Sequence, residues 1–372
     1  VRDEVAPGAP CAQEQDCAAG SREAAEGVFD SQRCAWLSLR EASMTARPIL
    51  AIKAVLVPAI AFALAGLVAL PVRAEGPIKI GVLIPGSIKD HGWMESLYRG
   101  IEAAKHKYGS KVKITYIENV AFADMDQVLT TLAQTNPYVI GGAGQTQGYV
   151  LNVAKRFPNI KFTIVGPNGK ATENVAQYDV RQAEIGFVAG AVAAMLSKTQ
   201  VVNYIGGLQI PAIVNTGTEF CNGAKYINPK ATCIVSYTGN FDDVQKAKEA
   251  EEAAIAKGAD ISYNILNLGV RGQEQAARAH KIHMIGSYIN WCPAKDPLYV
   301  AYTISGIGFM FDYAVDQIVA GTWKPESKVF GLQMGPESSG IAICQGETPQ
   351  IRQRVDAIEK DILGGKIPIL PD

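Results

Sequence analysis

The chain has 372 residues, 35 Lys and Arg against 36 Asp and Glu, a formal net charge of -1, 48% hydrophobic and 19% charged residues. That balance is ordinary for a globular protein, and it lacks the basic excess that a nucleic-acid partner requires. The length allows two or three domains.

From Met44 the sequence reads MTARPILAIKAVLVPAIAFALAGLVALPVRAEGP. Arg47 and Lys53 form a short basic region, an apolar run extends to Leu70, and Val72-Arg73-Ala74 offers an A-x-A-like cleavage site. Residues 44–74 are therefore expected to be a secretory signal peptide, with Pro58, the many alanines and the small-residue exit favouring cleavage over a membrane anchor. No cysteine follows the apolar run to carry a lipid. Residues 1–43 show no periodicity, lie upstream of a credible initiator, and are expected to be a non-native extension. The expected product is a soluble periplasmic protein.

After Glu75 strands and helices alternate. IKIGVLI is a continuous apolar strand, and Leu97, Ile101, Ala104 and Tyr108 recur at helical spacing from Trp93 onward. KVKITYIE alternates as a strand, Asp124 to Gln134 is helical, and PYVIGGAG is a buried strand ending in glycines. A helix from Tyr149 to Arg156, the strand KFTIVG and the turn cluster PNGKATEN follow. A second run of the same kind begins with the small-residue helix at Arg181–Leu196. It continues through VVNYIGG, a helix from Ile210 to Tyr226, ATCIVSYTG, the helical DDVQKAKEAEEAAIAKG, ADISYNIL, a helix from Gly272 to Ala279, and KIHMIGSYI. The tail supplies a strand near LYVAYTI and helices at Gly306–Val319 and Thr348–Leu363, returning between the halves. Alternation of this kind predicts an α/β fold with parallel sheets, and the length fits two sheets better than one very wide one.

Of seven cysteines, Cys11, Cys17 and Cys34 fall in the upstream segment. The remaining four, Cys221, Cys233, Cys292 and Cys344, allow three pairings in an oxidising compartment. The preferred set is the local bridge Cys221–Cys233, leaving Cys292–Cys344.

In open α/β sheets ligands collect outside the carboxyl ends of the strands. That rule selects the loops Pro85–Trp93, Gly141–Gln147, Gly166–Lys170, Gly206–Ile210, Thr238–Asp242 and Gly286–Trp291. Two of them carry aromatics off any core face, Trp93 and Phe241. As a pair of π faces they suit a flat ligand held between two lobes. Other chemistry finds little support. VGPNGKAT misses the phosphate-loop spacing, His280 and His283 lack a third metal ligand, and no G-x-S-x-G elbow is present. No catalytic residue, metal or cofactor is expected.

These residues carry a resemblance. IGVLIPG, KDHGWMESLYRGIEAA, YDVRQAEIGFVAGAVAAML, YIGG and VSYTGNFDDVQKAKEAEEAAIAKGAD, in that order, resemble the basic membrane protein family of ABC-transporter substrate-binding proteins, whose best-understood members bind purine nucleosides. The resemblance implies a two-lobed type I periplasmic-binding-protein fold, each lobe a parallel sheet flanked by helices. The N-terminal lobe would take 77–179 and 302–323, the C-terminal lobe 180–301 and 324–372. It places Trp93 and Phe241 where the family has its two stacking aromatics. The family's Gly-Val-Asp-x-Asp-Gln stretch, whose acid holds ribose hydroxyls, stands here as Gly286-Ser287-Tyr288-Ile289-Asn290-Trp291, and a sugar-binding lysine is replaced by an apolar residue around Phe309. An unpaired buried hydroxyl costs about 1 to 3 kcal/mol, so Tyr288 and Trp291 are expected to close the sugar end of the pocket. The expected ligand is a purine nucleobase, adenine favoured. A purine nucleoside, a riboflavin-type ligand and a secreted cleft enzyme are the alternatives. His91, Asp90, Gln145, Asn168 and Asn290 are expected to meet its polar edge. The expected partner is an ABC permease of the inner membrane, and the protein is expected to be a monomer.

Overall fold

The computed structural model describes residues 76–166 and 169–371. The upstream segment 1–43 and segment 44–74, where a signal peptide is expected, lie outside the described residues, as does Asn168. The chain runs β1 (Ile78–Leu83), α1 (Trp93–Tyr108), β2 (Val112–Ile117), α2 (Met125–Thr135), β3 (Tyr138–Gly141), α3 (Gln147–Arg156), β4 (Lys161–Val165) and β5 (Val175–Val180). The second run is α4 (Gln182–Leu196), β6 (Val201–Gly206), α5 (Pro211–Ile227), β7 (Thr232–Tyr237), α6 (Val244–Ile255), β8 (Ile261–Ile265), α7 (Val270–His280), β9 (His283–Gly286) and β10 (Tyr299–Ser305). The tail adds α8 (Ile307–Val319), β11 (Ser327–Phe330), β12 (Ser339–Ile343) and α9 (Pro349–Leu363).

The strands form two six-stranded sheets, ordered β2-β1-β3-β4-β5-β11 and β7-β6-β8-β9-β10-β12. One plan is therefore used twice, and each sheet with its helices makes a lobe. Every pairing is parallel except β12, which runs antiparallel to β10. Helices on both faces explain the continuous apolar runs: all five residues of β8 are buried, as parallel strands require. Helix α4 is buried along almost its whole length. It meets α5 so closely that a Cβ on Gly190 would stand 1.8 Å from the Phe220 carbonyl oxygen, and one on Gly223 1.9 Å from that of Phe187.

The chain passes between lobes three times. It leaves the first sheet after β5 for α4, which packs on α5 and α9. It returns after β10 to α8, which packs on α1, and crosses again between β11 in the first sheet and β12 in the second. Three strands were not foreseen. β5 follows a turn cluster and carries Gln177 and Asp179; β11 is a largely exposed edge strand; β12 is short and holds Gly340. Each lacks the apolar run or clean alternation by which the other strands announce themselves. The preferred disulfide set is present: Cys221–Cys233 joins α5 to β7, and Cys292–Cys344 ties the loop after β9 to the segment after β12. Among the described residues no helix is long and apolar enough to cross a membrane.

Candidate functional site

In each sheet the first strand, β1 or β6, is flanked by the two strands that follow it, which makes its carboxyl end the topological switch point. At the first of these, Asp90 organises the loop. Its Oδ1 accepts from the backbone N–H of Gly92 (2.8 Å) and Glu95 (3.0 Å), and its Oδ2 from Met94 (3.1 Å). These are first-turn donors of α1 that the helix itself cannot satisfy. Asp90 is 2% exposed; burial pushes its carboxyl up while the three N–H bonds pull it back. The helix start is thereby fixed with Trp93 as its first residue.

Trp93 is half-buried, and its Nε1 donates to the Gly142 carbonyl at 2.9 Å, a group just beyond β3. A Cβ on Gly166, beyond β4, would lie 2.2 Å from the Trp93 ring, so the indole rests directly on backbone there. Phe241, half-buried after β7 in the second lobe, has the same support: a Cβ on Gly207, at the end of β6, would lie 2.1 Å from its ring. The lobes touch through these loops. Trp93 N–H approaches Asn267 Oδ1 at 3.5 Å, and the Trp93 ring meets Tyr288 edge-on, centroids 6.1 Å apart. The Phe241 carbonyl accepts from Asn267 and Gly269, both at 3.0 Å.

Two cavities flank this contact. One, of about 260 Å³, lies between the lobes and is lined by Ser87, Asp90 and Asn119 from the first and by Asp242, Asn267 and Leu268 from the second. The other, of about 190 Å³, lies mostly within the second lobe at the ends of β8, β9 and β10, with His91 entering from the first lobe. Its lining includes Trp291, Asn264 and Glu274. Here Asn264 is 2% exposed and its Nδ2 has no partner. The Glu274 Oε1 accepts from the Tyr299 hydroxyl at 2.6 Å. Asp296, also on the wall, is held by both guanidinium nitrogens of Arg278 and by Leu298 N–H, and the Arg278 bonds hold its carboxyl below the usual range.

The structure thus gathers Trp93, Tyr288, His91 and Trp291 at one junction and sets Phe241 on the facing lobe. His91 and Tyr288 adopt left-handed backbone conformations, φ 57° and 71°. For a bulky aromatic such as Tyr288, buried in the second lobe, this is strained, and strain of that kind gathers at ligand clamps. Three expected residues stand apart. Gln145 is exposed and, like Trp93, Tyr288 and Phe241, lines neither cavity, and it makes no contact with those rings. Asn290 is exposed, and its Oδ1 accepts from Cys292 N–H in a local turn. Asp90 lines the interlobe cavity, but the hydrogen-bonding capacity of its carboxylate goes largely to its own helix. Asn264 and Glu274 went unnoticed in the sequence, although the strand-end rule applied to ADISYNIL points to Asn264. Among the described residues no group of three His, Cys, Asp or Glu could hold a metal ion.

Comparison with known proteins agrees with this architecture. A purine-binding protein of Brucella abortus (strain 2308) is 26% identical over 267 residues, 71% of this chain and 75% of the relative. The ABC transporter nucleoside-binding protein BmpA of Lactococcus lactis subsp. cremoris (strain MG1363) is 24% identical over 303 residues, 76% of this chain and 86% of the relative. Among solved structures, an ABC transporter system solute-binding protein from Conexibacter woesei DSM 14684 superposes with a TM-score of 0.66 at 23% identity, covering 79% of this chain and 98% of that one. The shared fold is the two-lobed type I periplasmic-binding-protein fold. The family model described as ABC transporter substrate-binding protein PnrA-like matches residues 78–335, well over half of the sequence, and the chain belongs to that family of extracytoplasmic substrate-binding proteins.

Proposed function

We propose that the protein is the periplasmic receptor of an ABC importer, that it captures a purine nucleobase, adenine favoured, between Trp93 and Phe241, and that it hands the base to an inner-membrane permease. One observation carries this reading. The two rings stand on facing lobes, and each is backed by a glycine at a strand end, Gly166 behind Trp93 and Gly207 behind Phe241. Backing of that kind holds a ring flat and still, which is what a stacking wall needs. The purine-binding and nucleoside-binding relatives support the ligand class. Buried Tyr288 supports a base over a nucleoside, since it occupies the position of the family's sugar-holding acid. Phe309, near the family's lysine position, packs edge-on to Phe330 at 6.0 Å. No catalytic step is assigned. Export by the 44–74 segment and a monomeric state belong to the same reading.

Calorimetric titration of the full chain with adenine, guanine, adenosine, guanosine and riboflavin tests it. Adenine is expected to bind most tightly, and Trp93→Ala to weaken it by about 1 to 3 kcal/mol, the contribution of one stacked base. Adenosine binding well above adenine overturns the nucleobase assignment. Unchanged affinity in Trp93→Ala overturns the stacking role.

A further inference from the structure

The turn that opens helix α1 has one backbone donor, Trp93 N–H, with no acceptor in its own lobe among the described residues. Asp90 accepts from the N–H groups of Gly92, Met94 and Glu95 but passes over that of Trp93. The acceptor for Trp93 N–H comes instead from the second lobe: it is Asn267 Oδ1, at 3.5 Å. First-turn N–H groups find no partner within their own helix, so a side chain that reaches one acts as a cap. Here the cap is supplied across the cleft, from 174 residues along the chain.

Gly92 gives Asn267 its seat. A Cβ on Gly92 would stand 2.6 Å from Asn267 Oδ1, 3.1 Å from Asn267 Cα and 3.1 Å from the Leu266 carbonyl oxygen. Backbone of one lobe therefore lies on backbone of the other, with no room for a side chain between them. Asn267 is also stitched to the far wall of the proposed site. Its own N–H donates to the Phe241 carbonyl at 3.0 Å, Gly269 N–H donates to the same oxygen at 3.0 Å, and Leu268 N–H donates to Asp242 Oδ1 at 3.1 Å. Residues 267–269 and 241–242 thus form one unit of the second lobe, and that unit meets the first lobe at Gly92 and Trp93. A single residue joins the backbones that carry the two rings.

We propose that Asn267 is a positioning residue for ligand capture: it caps α1 from across the cleft, and its seat on Gly92 stops the approach of the lobes at the ring separation that one flat ring system fills. This assignment rests on the reading of the cleft as a receptor that stacks a flat heterocycle between Trp93 and Phe241. Asn267 acts on both rings through their backbones and touches no ligand. An N–H···O distance of 3.5 Å is long, so the contact has room to tighten as the lobes close. Because it forms only with the lobes together, its loss leaves entry of the ligand unchanged and hastens escape.

The test is stopped-flow binding of adenine to the full chain, to Asn267→Leu and to Gly92→Ala, followed by tryptophan emission. Asn267→Leu keeps the backbone N–H to Phe241 and removes the acceptor for Trp93. It is expected to associate within twofold of the wild-type rate and to dissociate about three- to tenfold faster, the range for one net hydrogen bond. Its ligand-free melting temperature is expected to stay close to wild type, which a general loosening of the fold would not allow. Gly92 is not among the positive-φ residues, so alanine there acts through its methyl alone. Gly92→Ala is expected to bind adenine at least tenfold more weakly and, at saturating adenine, to keep a larger radius of gyration than the wild type. Should Gly92→Ala fail to fold, Asn267→Leu decides alone. Wild-type binding of adenine with Asn267→Leu dissociating within twofold of it, or with a loss confined to association, overturns the role of Asn267 alone. A wild type that binds no purine overturns the cleft reading and this assignment together.

Discussion

Arg99 of helix α1 in the first lobe lies over Trp291 of the second, guanidinium carbon 3.9 Å from the ring centroid. Its Nη2 is steadied by Glu95 Oε1 at 3.3 Å, one turn back on the same helix. The contact can form only when the lobes are together, so it acts as a latch on the closed form. A cation over an indole contributes about 0.5 to 1 kcal/mol at an exposed site. Because Arg99 makes no contact with a ligand in the proposed site, Arg99→Ala is expected to weaken binding about two- to fivefold purely by shifting the open–closed balance. Small-angle scattering of the ligand-free variant should show a larger radius of gyration than the wild type. An unchanged radius and unchanged affinity would remove the latch.

The backing of Phe241 makes a separate prediction. Gly207 is not among the positive-φ residues, so its backbone admits alanine without strain. The added methyl would stand 2.1 Å from the ring, and the ring must swing away. Gly207→Ala is expected to fold with a melting temperature close to wild type while losing tenfold or more in adenine affinity, about 1.4 kcal/mol. That loss falls within the ~1 to 3 kcal/mol of one stacked base. Retained affinity would mean that Phe241 is not a wall of the site.

How much of this was legible in the sequence divides along physical lines. Alternation of apolar strands with amphipathic helices shows directly in the order of residues, because burial of both sheet faces dictates it. Two sheets followed from that order, whereas the disulfide set rested on a preference for the local bridge among three possible pairings. The strands that escaped are those whose place is set by neighbours: Ser327–Phe330 is a strand only because it finds the free edge of Val175–Val180. The loops bearing Trp93 and Phe241 were legible from the strand-end rule, but their glycine supports were not, since Gly166 and Gly207 lie far away in sequence. Asn264 lies at a strand end that the same rule reaches, but the state of its amide is not written in the sequence. Within ISYNI every residue is buried, and a single polar side chain gives no sign of whether its amide is paired.

Glu251 predicts a pH dependence. It is wholly buried on α6, and its Oε2 accepts from Asn203 Nδ2 (3.0 Å), Ser262 Oγ (2.7 Å) and Gln273 Nε2 (3.1 Å), while Oε1 has no partner. The groups bonded to it are uncharged, and burial pushes the carboxyl up to about 7 in spite of these bonds. The folded protein therefore keeps the proton over a range in which the unfolded chain, titrating near the ordinary value of 4.5, has lost it. Stability from this group is fully present below about pH 4.5 and declines as pH rises toward 7, by at most ~1.4 kcal/mol per pH unit. Glu251→Gln mimics the protonated acid and removes that slope. Its melting temperature is expected to match the wild type near pH 4.5 and to exceed it at pH 8. Parallel melting curves across that range would show that Glu251 titrates at its ordinary value.

Tyr288 yields the last prediction, because two of its properties point the same way. Its backbone sits at φ 71°, a conformation that asparagine tolerates far better than a bulky aromatic. Its ring is 4% exposed and braces Trp93 edge-on, and on the proposed reading it takes the place of a sugar-holding acid. Tyr288→Asn relieves the backbone, empties the space and supplies both a donor and an acceptor for hydroxyl groups. Loss of the buried ring is expected to lower stability by ~3 kcal/mol, as for other large-to-small aromatic changes, with part of that recovered from the relaxed backbone. Adenosine affinity is expected to rise at least tenfold over wild type, while adenine weakens only modestly because its stacking walls remain. The two titrations run side by side decide the matter. If adenosine binds no better to the variant, the Tyr288 ring is not what excludes the sugar, and the preference for a free base must arise elsewhere in the cleft.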